Sequence, residues 1–287
     1  MKPLPPWRSL MFVPANNKRF IESAPRRGAD AIQLDLEDSI PPSAKADARE
    51  ALAAAVSNLA GQGAELVIRV NRPLRLMLPD LEAAVLADVS ALTIPKVEGP
   101  EILLEIDQVI GELEAERGLE RGAIRLIAMI ETAQGLLQAT EIAHATPRLG
   151  ALVIGPEDLS VSLGSSVETD ILMAPAMTVL IAARAAGITP LGYPGSMANH
   201  TDLAAYRQWI ERGRAMGFEG AFCVHPGQVP ILNEVFGMSE AERSWAEAIL
   251  NAATKHEEVG TGAFTFDGRM VDAPIIEKAR RILAKAG

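Results

Sequence analysis

The sequence predicts a (β/α)8 TIM barrel followed by a hairpin–helix extension. Eight short apolar runs alternate with helical patterns along the first 257 residues. The runs are continuous rather than alternating, as in strands buried on both faces. Most of them stop at a charged or polar residue, and in such a barrel the C-terminal ends of the strands share one face. A length of 287 residues suits a single barrel of this kind. The rival open sheet needs a Gly-rich first turn, whereas the first turn here reads PANNKR.

The first strand is SLMFVP, residues 9–14, and the helix after it carries Lys18, Arg19, Arg26 and Arg27. AIQLDLE, 31–37, is the second strand and ends at Glu37 and Asp38. The next helix is entered through Pro41 and Pro42. ELVIRVN, 65–71, carries Arg69 near its end, and ALTIPK, 91–96, ends on Lys96. The fifth and sixth runs, IRLIAMIET and ALVIGPEDL, stop at Glu131 and Asp158, with the helical AQGLLQATEIAHA between them. GITPLGYP, 187–194, and GAFCVHP, 220–226, complete the eight. Helical patterns at 80–88, 100–117, 133–145, 173–186 and 201–216 separate the strands, and an amphipathic helical region follows over 228–257.

The barrel is therefore assigned to residues 1–257 and the extension to 258–287. FTFDGRMVD reads as a tight hairpin turning at Asp267-Gly268, and PIIEKARRILAKA as an amphipathic helix starting at Pro274. A barrel does not need this segment, which is expected to cover one end of its own barrel or to dock on a neighbouring subunit.

The apolar fraction of 48% is enough for a large core, and with aromatics at 4% aliphatic residues must fill it. A net charge of −10 argues against general nucleic-acid binding, so an anionic ligand would need a local basic cluster. The N-terminus MKPLPPWRSL has no apolar signal core. The longest apolar window, 174–191, carries Arg184 and two prolines and is no membrane span. A soluble, cytoplasmic protein is expected. The one cysteine, Cys223, lies in an apolar run, reads as a buried structural thiol, and can form no intramolecular disulfide.

Parallel neighbouring strands bring Glu131 and Asp158 to the same edge. Two carboxylates there repel unless a proton or a cation lies between them. Two protein carboxylates, with water and substrate oxygens in the other positions, make a Mg²⁺ style of site. Either residue alone also fits a favourable charge at the start of the following helix; the matched pair points to the metal. The same edge gathers Glu37, Asp38, Arg69, Lys96, Tyr193 and His225. His225 precedes a proline and reads as a loop organiser rather than a base, and His144, His200 and His256 read as solvated. No Ser-His-Asp set, zinc spacing or P-loop is present.

The stretches RSLMFVPANN, DLEDSIPPSAKADAR, IRVN, IPKVE, IAMIETAQGLL, GPEDLSVSLG, GFEGAFCVHPGQVPILNEVF and GRMVDAPIIEKA stand in a fixed order and spacing. That set resembles the citrate lyase β-subunit-like (HpcH/HpaI aldolase/citrate lyase) family, which includes malyl-CoA and citramalyl-CoA lyases. The resemblance runs nearly end to end. It implies a homotrimer or hexamer of barrels and a Mg²⁺-dependent Claisen-type carbon–carbon lyase acting on an α-keto acid and a CoA thioester. By position, Glu131 and Asp158 match the metal ligands, and Glu37 and Asp38 match carboxylates that hold metal-bound waters. Arg69 matches the arginine that holds the α-keto acid and steadies enolate charge. Asp272 matches a C-terminal aspartate that enters a neighbour's site as acid/base; it also fits a cap for the helix at Pro274. Lys18 and Arg19 suit CoA phosphates, or a solvated helix face.

The chain departs from the family pattern at Ala221, where a lysine is frequent, and at Gly192 and Tyr193, where an aspartate often ends the seventh strand. NRPLRLMLPD after Arg69 is also unusual. These positions surround the expected substrate pocket. They leave two rivals: a metal aldolase acting on a free keto acid without CoA, and a non-catalytic ligand-binding paralogue.

Overall fold

The computed structural model describes residues 1, 3–167, 170–198, 200–258 and 263–284. Its contacts divide the chain into two units, Met1–Phe236 and Gly237–Gly287.

The first unit runs β1 (Ser9–Pro14), α1 (Lys18–Ser23), β2 (Ala31–Asp35), α2 (Lys45–Ala60), β3 (Leu66–Arg69), α3 (Leu74–Ala84), β4 (Ala91–Ile94) and α4 (Glu101–Glu116). It continues through β5 (Arg125–Ile130), α5 (Ala133–Leu137), α6 (Ala139–Ala143), β6 (Leu149–Ile154), α7 (Pro156–Leu163) and α8 (Met173–Ala185). It ends with β7 (Thr189–Leu191), α9 (Leu203–Met216), β8 (Ala221–Cys223) and α10 (Val229–Phe236). All eight strands are parallel, in the order β7-β6-β5-β4-β3-β2-β1-β8. A bridge between Leu191 and Gly220 brings the two ends together, so the predicted (β/α)8 barrel is the fold.

Period two explains how each strand serves two cores. Leu10, Val67, Ile127, Val153 and Phe222 belong to one buried cluster, within the barrel. Their neighbours Ile68, Leu126, Ala128, Leu152 and Ile154 belong to the larger cluster shared with the helices. Both faces are apolar, which is why the strands read as unbroken runs.

Two helices depart from the sequence pattern. α3 starts at Leu74 rather than residue 80, with Pro79 inside it. The buried Asp80 anchors it, accepting from Asn71 N–H, Asn71 Nδ2 and Arg49 Nε at 2.6–2.8 Å. The helix expected at 133–145 is two short ones that meet at Gln138.

In the second unit, α11 (Glu240–Glu258) packs against α12 (Ala273–Ala284) and against the hairpin β9 (Phe264–Phe266) and β10 (Arg269–Val271). Ala246, Ile249, Phe264, Val271 and Ile276 form its own core. The hairpin turns at Asp267 and Gly268 with φ of 48° and 74°, the left-handed pair a two-residue turn requires. The division by contact therefore falls ahead of α11, whereas the boundary read from sequence, between 257 and 258, falls at its last residue. No helix among the described residues is long and apolar enough to cross a membrane.

Candidate active site

The β2–β3 register sets Asp35 beside Arg69, and both side chains are buried. Asp35 takes Arg69 Nε at 2.7 Å and Nη2 at 2.8 Å, a two-point fork. The guanidinium also lies over the Phe12 ring, 4.7 Å from its centroid. Burial pushes the Asp35 carboxyl up, but the bonds from Arg69 more than offset this and hold it below its ordinary value. Arg69 Nη1 lies 2.8 Å from Glu37 Oε2 and 3.7 Å from Asp38 Oδ2. The contact to Glu37 is off the N–H direction, so Glu37 Oε2 is a buried oxygen without a hydrogen bond. Burial, with Asp38 adding to it, raises the Glu37 carboxyl despite Arg69 and Lys96.

Pro95 ends β4, and the next residue, Lys96, adopts φ of 48°. A residue with a Cβ rarely enters this left-handed region, at a cost of order 1–3 kcal/mol. The conformation is held by carboxylates. Lys96 N–H donates to Glu131 Oε1 at 2.7 Å. Its Nζ lies 2.9 Å from Glu37 Oε1, 2.9 Å from Asp158 Oδ2 and 3.8 Å from Asp38 Oδ2. Burial lowers the ammonium pKa, and the bonds to Glu37 and Asp158 raise it further than burial lowers it.

Glu131 directly follows β5 and is buried. Its room comes from Gly155: a Cβ there would lie 2.5 Å from Glu131 Oε2. Burial, then the charges of Glu37 and Asp158, push the Glu131 carboxyl up to about 7. Asp158 stands differently from the expectation of a strand end. β6 stops at Ile154, the chain turns at Gly155, and Pro156 starts α7 with its preset φ. Asp158 is thus on the first helical turn, with its carboxylate directed back to Lys96.

The wall formed by β5 to β8 is apolar. Met129, Val153, Ile154, Pro156, Gly192, Tyr193, Met197 and Phe222 line a small pocket there. The chain after β7 is fastened by Glu157, whose Oε1 accepts Ser196 Oγ at 2.8 Å, Met197 N–H at 2.8 Å and Ala198 N–H at 3.3 Å. Gln228 grips the same segment by donating to the Met197 carbonyl at 3.0 Å.

The structure therefore brings Glu37, Asp38, Arg69, Lys96, Glu131 and Asp158 together. Tyr193 does not join them: it is buried, edge-on to Tyr206, and donates to the Ser196 carbonyl at 3.1 Å. His225 organises its loop, its Nδ1 accepting Gly227 N–H at 3.1 Å, and stacks on the exposed His200 at 5.1 Å. Lys18 and Arg19 are exposed on α1, capped by Asn17, and Lys18 pairs loosely with Glu22 at 3.8 Å. Asp272 lies in the second unit, where its backbone carbonyl accepts from Ile275 N–H and Ile276 N–H at 3.0 Å. Cys223 is buried, and burial pushes its thiol up to about 12, as suits a structural cysteine.

Sequence reasoning missed Asp35 and Glu157 and gave Lys96 no role. The signal for Asp35 is the spacing of Gln33 and Asp35, two polar residues on one face of an otherwise apolar strand. Lys96, as a charged residue after Pro95, carries no mark of its left-handed backbone.

Every oxygen donor in the cluster is a carboxylate, the chemistry of a hard divalent cation. Among the described residues no three acidic, histidine or cysteine side chains already converge as a metal cage. The Lys96 ammonium stands between Glu37 and Asp158 instead.

A family model described as HpcH/HpaI aldolase/citrate lyase matches residues 8–226. Citrate lyase subunit beta of Haemophilus influenzae is 33% identical over 97% of this chain and 96% of its own length. A (3S)-malyl-CoA thioesterase of Cereibacter sphaeroides is 36% identical over 98% and 95%. Among solved structures, protein CitE from Mycobacterium tuberculosis in complex with magnesium, acetoacetate and coenzyme A matches with a TM-score of 0.76 at 29% identity. That match covers 97% of each chain.

Proposed function

The chain belongs to the HpcH/HpaI aldolase/citrate lyase family, and from that premise we propose that it is a magnesium-dependent carbon–carbon lyase. The substrate is a 3-hydroxyacyl thioester of the citryl-, malyl- or citramalyl-CoA type. Cleavage yields an acyl thioester and an α-keto acid; the reverse is a Claisen condensation. The observation that supports this reading most is the state of Glu131. It is a buried carboxylate beside Glu37 and Asp158; its own burial and their charges raise it to about 7, although Lys96 N–H donates to it at 2.7 Å.

The residues fit Mg²⁺. Glu131 and Asp158 would hold it, with Glu37 and Asp38 placed for its waters, and Glu37 Oε2 is a buried oxygen that meets Arg69 as an ion pair but makes no hydrogen bond. When bound, the metal supplies Lewis acidity and a template for the oxygens of the keto acid. The rest is the work of the chain's own residues. Arg69 keeps a permanent positive charge beside the acid half, locked in place by Asp35, so no reorganisation is needed as oxyanion charge develops. Cleavage also needs the hydroxyl proton taken and a proton returned to the thioester carbon. Asp272 of a second copy is the carboxylate assigned to this transfer. Met129, Val153 and Phe222 give this side of the site an apolar wall. Lys18 and Arg19 would meet the CoA phosphates, which makes CoA affinity fall with salt and with Lys18→Glu.

The (3S)-malyl-CoA thioesterases among the relatives favour a second reading, hydrolysis of the thioester. A panel of malyl-, citramalyl- and citryl-CoA with Mg²⁺ separates the readings by product. Acyl-CoA plus an α-keto acid supports the lyase. Free CoA with an intact hydroxy acid supports hydrolysis. Turnover of free keto acids alone points to the aldolase, and silence across the panel overturns an enzymatic role on these substrates.

A further inference from the structure

We propose that Lys96 is a built-in counter-cation that occupies part of the divalent-cation site in the metal-free protein and is displaced when the metal binds. The inference rests on the metal reading above and adds a competitor to it. Five carboxylates, Asp35, Glu37, Asp38, Glu131 and Asp158, crowd around Arg69 and Lys96, the two cations that form ion pairs with them among the described residues. Arg69 is committed to Asp35 by two bonds. Lys96 alone spans the two sides of the cluster, with its Nζ 2.9 Å from both Glu37 and Asp158.

A magnesium ion needs ligand oxygens at about 2.1 Å and surrounds itself with six of them. An ammonium 2.9 Å from Asp158 Oδ2 takes up one approach to that oxygen and repels a second cation there. Lys96 is suited to give way because its two ends are held separately. Its backbone is fixed by the N–H bond to Glu131, so the side chain can swing without moving that carboxylate. Asp38, exposed and 3.8 Å from Nζ, is the carboxylate placed to receive it.

The test is a titration with Mn²⁺, read by the electron paramagnetic resonance signal of free Mn²⁺, on wild type, Lys96→Met and Lys45→Met. Lys45 is the control. Its Nζ lies beside the same segment but donates only to the Leu36 and Glu37 carbonyls, at 2.9 Å each. Lys96→Met is expected to bind Mn²⁺ about tenfold more tightly than wild type, with Lys45→Met within about threefold of wild type. The melting temperature without metal should fall in Lys96→Met, and the rise on adding Mn²⁺ should be larger than in wild type. Equal or weaker binding by Lys96→Met overturns the inference and leaves the metal site standing. Equal tightening in both variants also overturns it, since the effect is then diffuse charge. Wild type that binds no Mn²⁺ overturns the metal reading itself. Lys96→Gln, read against the same outcomes, replaces Lys96→Met if that variant does not fold.

Discussion

Glu157 holds the backbone amide of Met197 at 2.8 Å, and Met197 lines the apolar pocket. The next residue in the chain is Asp158, so one turn of α7 carries both a cluster carboxylate and the clasp on the segment after β7. Glu157→Ala removes an acceptor shared by three donors and frees that segment. The expected outcome is a rise of about tenfold in KM for the thioester, with Mg²⁺ affinity by calorimetry within about threefold of wild type. A fall in kcat with KM unchanged would show that the segment is no part of the substrate wall.

Arg69→Lys keeps the charge and loses the fork. The pair with Asp35 then keeps one bond in place of two, so the variant should be about 1–3 kcal/mol less stable to urea. Turnover should drop by about 10²–10³, because an ammonium cannot hold the same position against both Asp35 and the substrate. Near wild-type kinetics would remove Arg69 from the reaction.

The strands were legible because both of their faces are apolar, and a buried parallel strand needs no partner in sequence to declare itself. Glu131 was legible for the same reason, as the carboxylate that ends the Leu126–Ile130 run. Asp158 was legible as a residue and not as a position, because the turn at Gly155 and Pro156 moves it from strand to helix. Lys96 was hidden more deeply. Its place depends on a positive φ and on the distant carboxylates Glu37, Glu131 and Asp158, none of which a local pattern encodes. Asp35 was hidden by its own burial, since a charge inside a strand makes sense only once Arg69 is beside it.

Asp272 offers its backbone, not its carboxylate, to the first turn of α12, and the carboxylate has no partner among the described residues. Asp272→Asn should therefore change stability by less than about 0.5 kcal/mol while lowering turnover by about 10²–10⁴. Mixing inactive Asp272→Asn subunits with inactive Glu131→Ala subunits under exchange should restore activity if the group works in trans. A mixture that stays silent despite proven exchange would place Asp272 outside the reaction.

Glu114 and Arg148, both fully buried, pair at 2.8 and 3.0 Å, and Glu114 also accepts from Gly122 N–H and Ile124 N–H. Burial pushes the Glu114 carboxyl up; Arg148 and the two amides pull it further down, below its ordinary 4.5. A lowered folded pKa means stabilisation that is present above 4.5 and lost as pH falls through the folded value. Glu114→Gln leaves the Arg148 charge half-paired and should cost about 3–5 kcal/mol at pH 7. Urea unfolding should show that gap narrowing as the pH falls below 4.5. A gap independent of pH would mean that shape, not charge, matters there.

Neighbouring strands of the barrel match three to five residues each, but β7 and β8 meet through the single Leu191–Gly220 bridge, with the Gly192 N–H to Gly220 carbonyl bond at 2.8 Å and the Glu219 N–H to Pro190 carbonyl bond at 3.1 Å. A hoop with one weak stave opens at that stave. In native-state hydrogen exchange the Gly192 amide should trade its proton earlier than the Val70 amide, which is bonded to Thr93 on a better-stitched joint. Gly192, Tyr193 and Phe222 flank the weak joint and also line the apolar pocket. A ligand packed against these three residues therefore braces the joint from inside, and its binding should be felt first as slower exchange at Gly192.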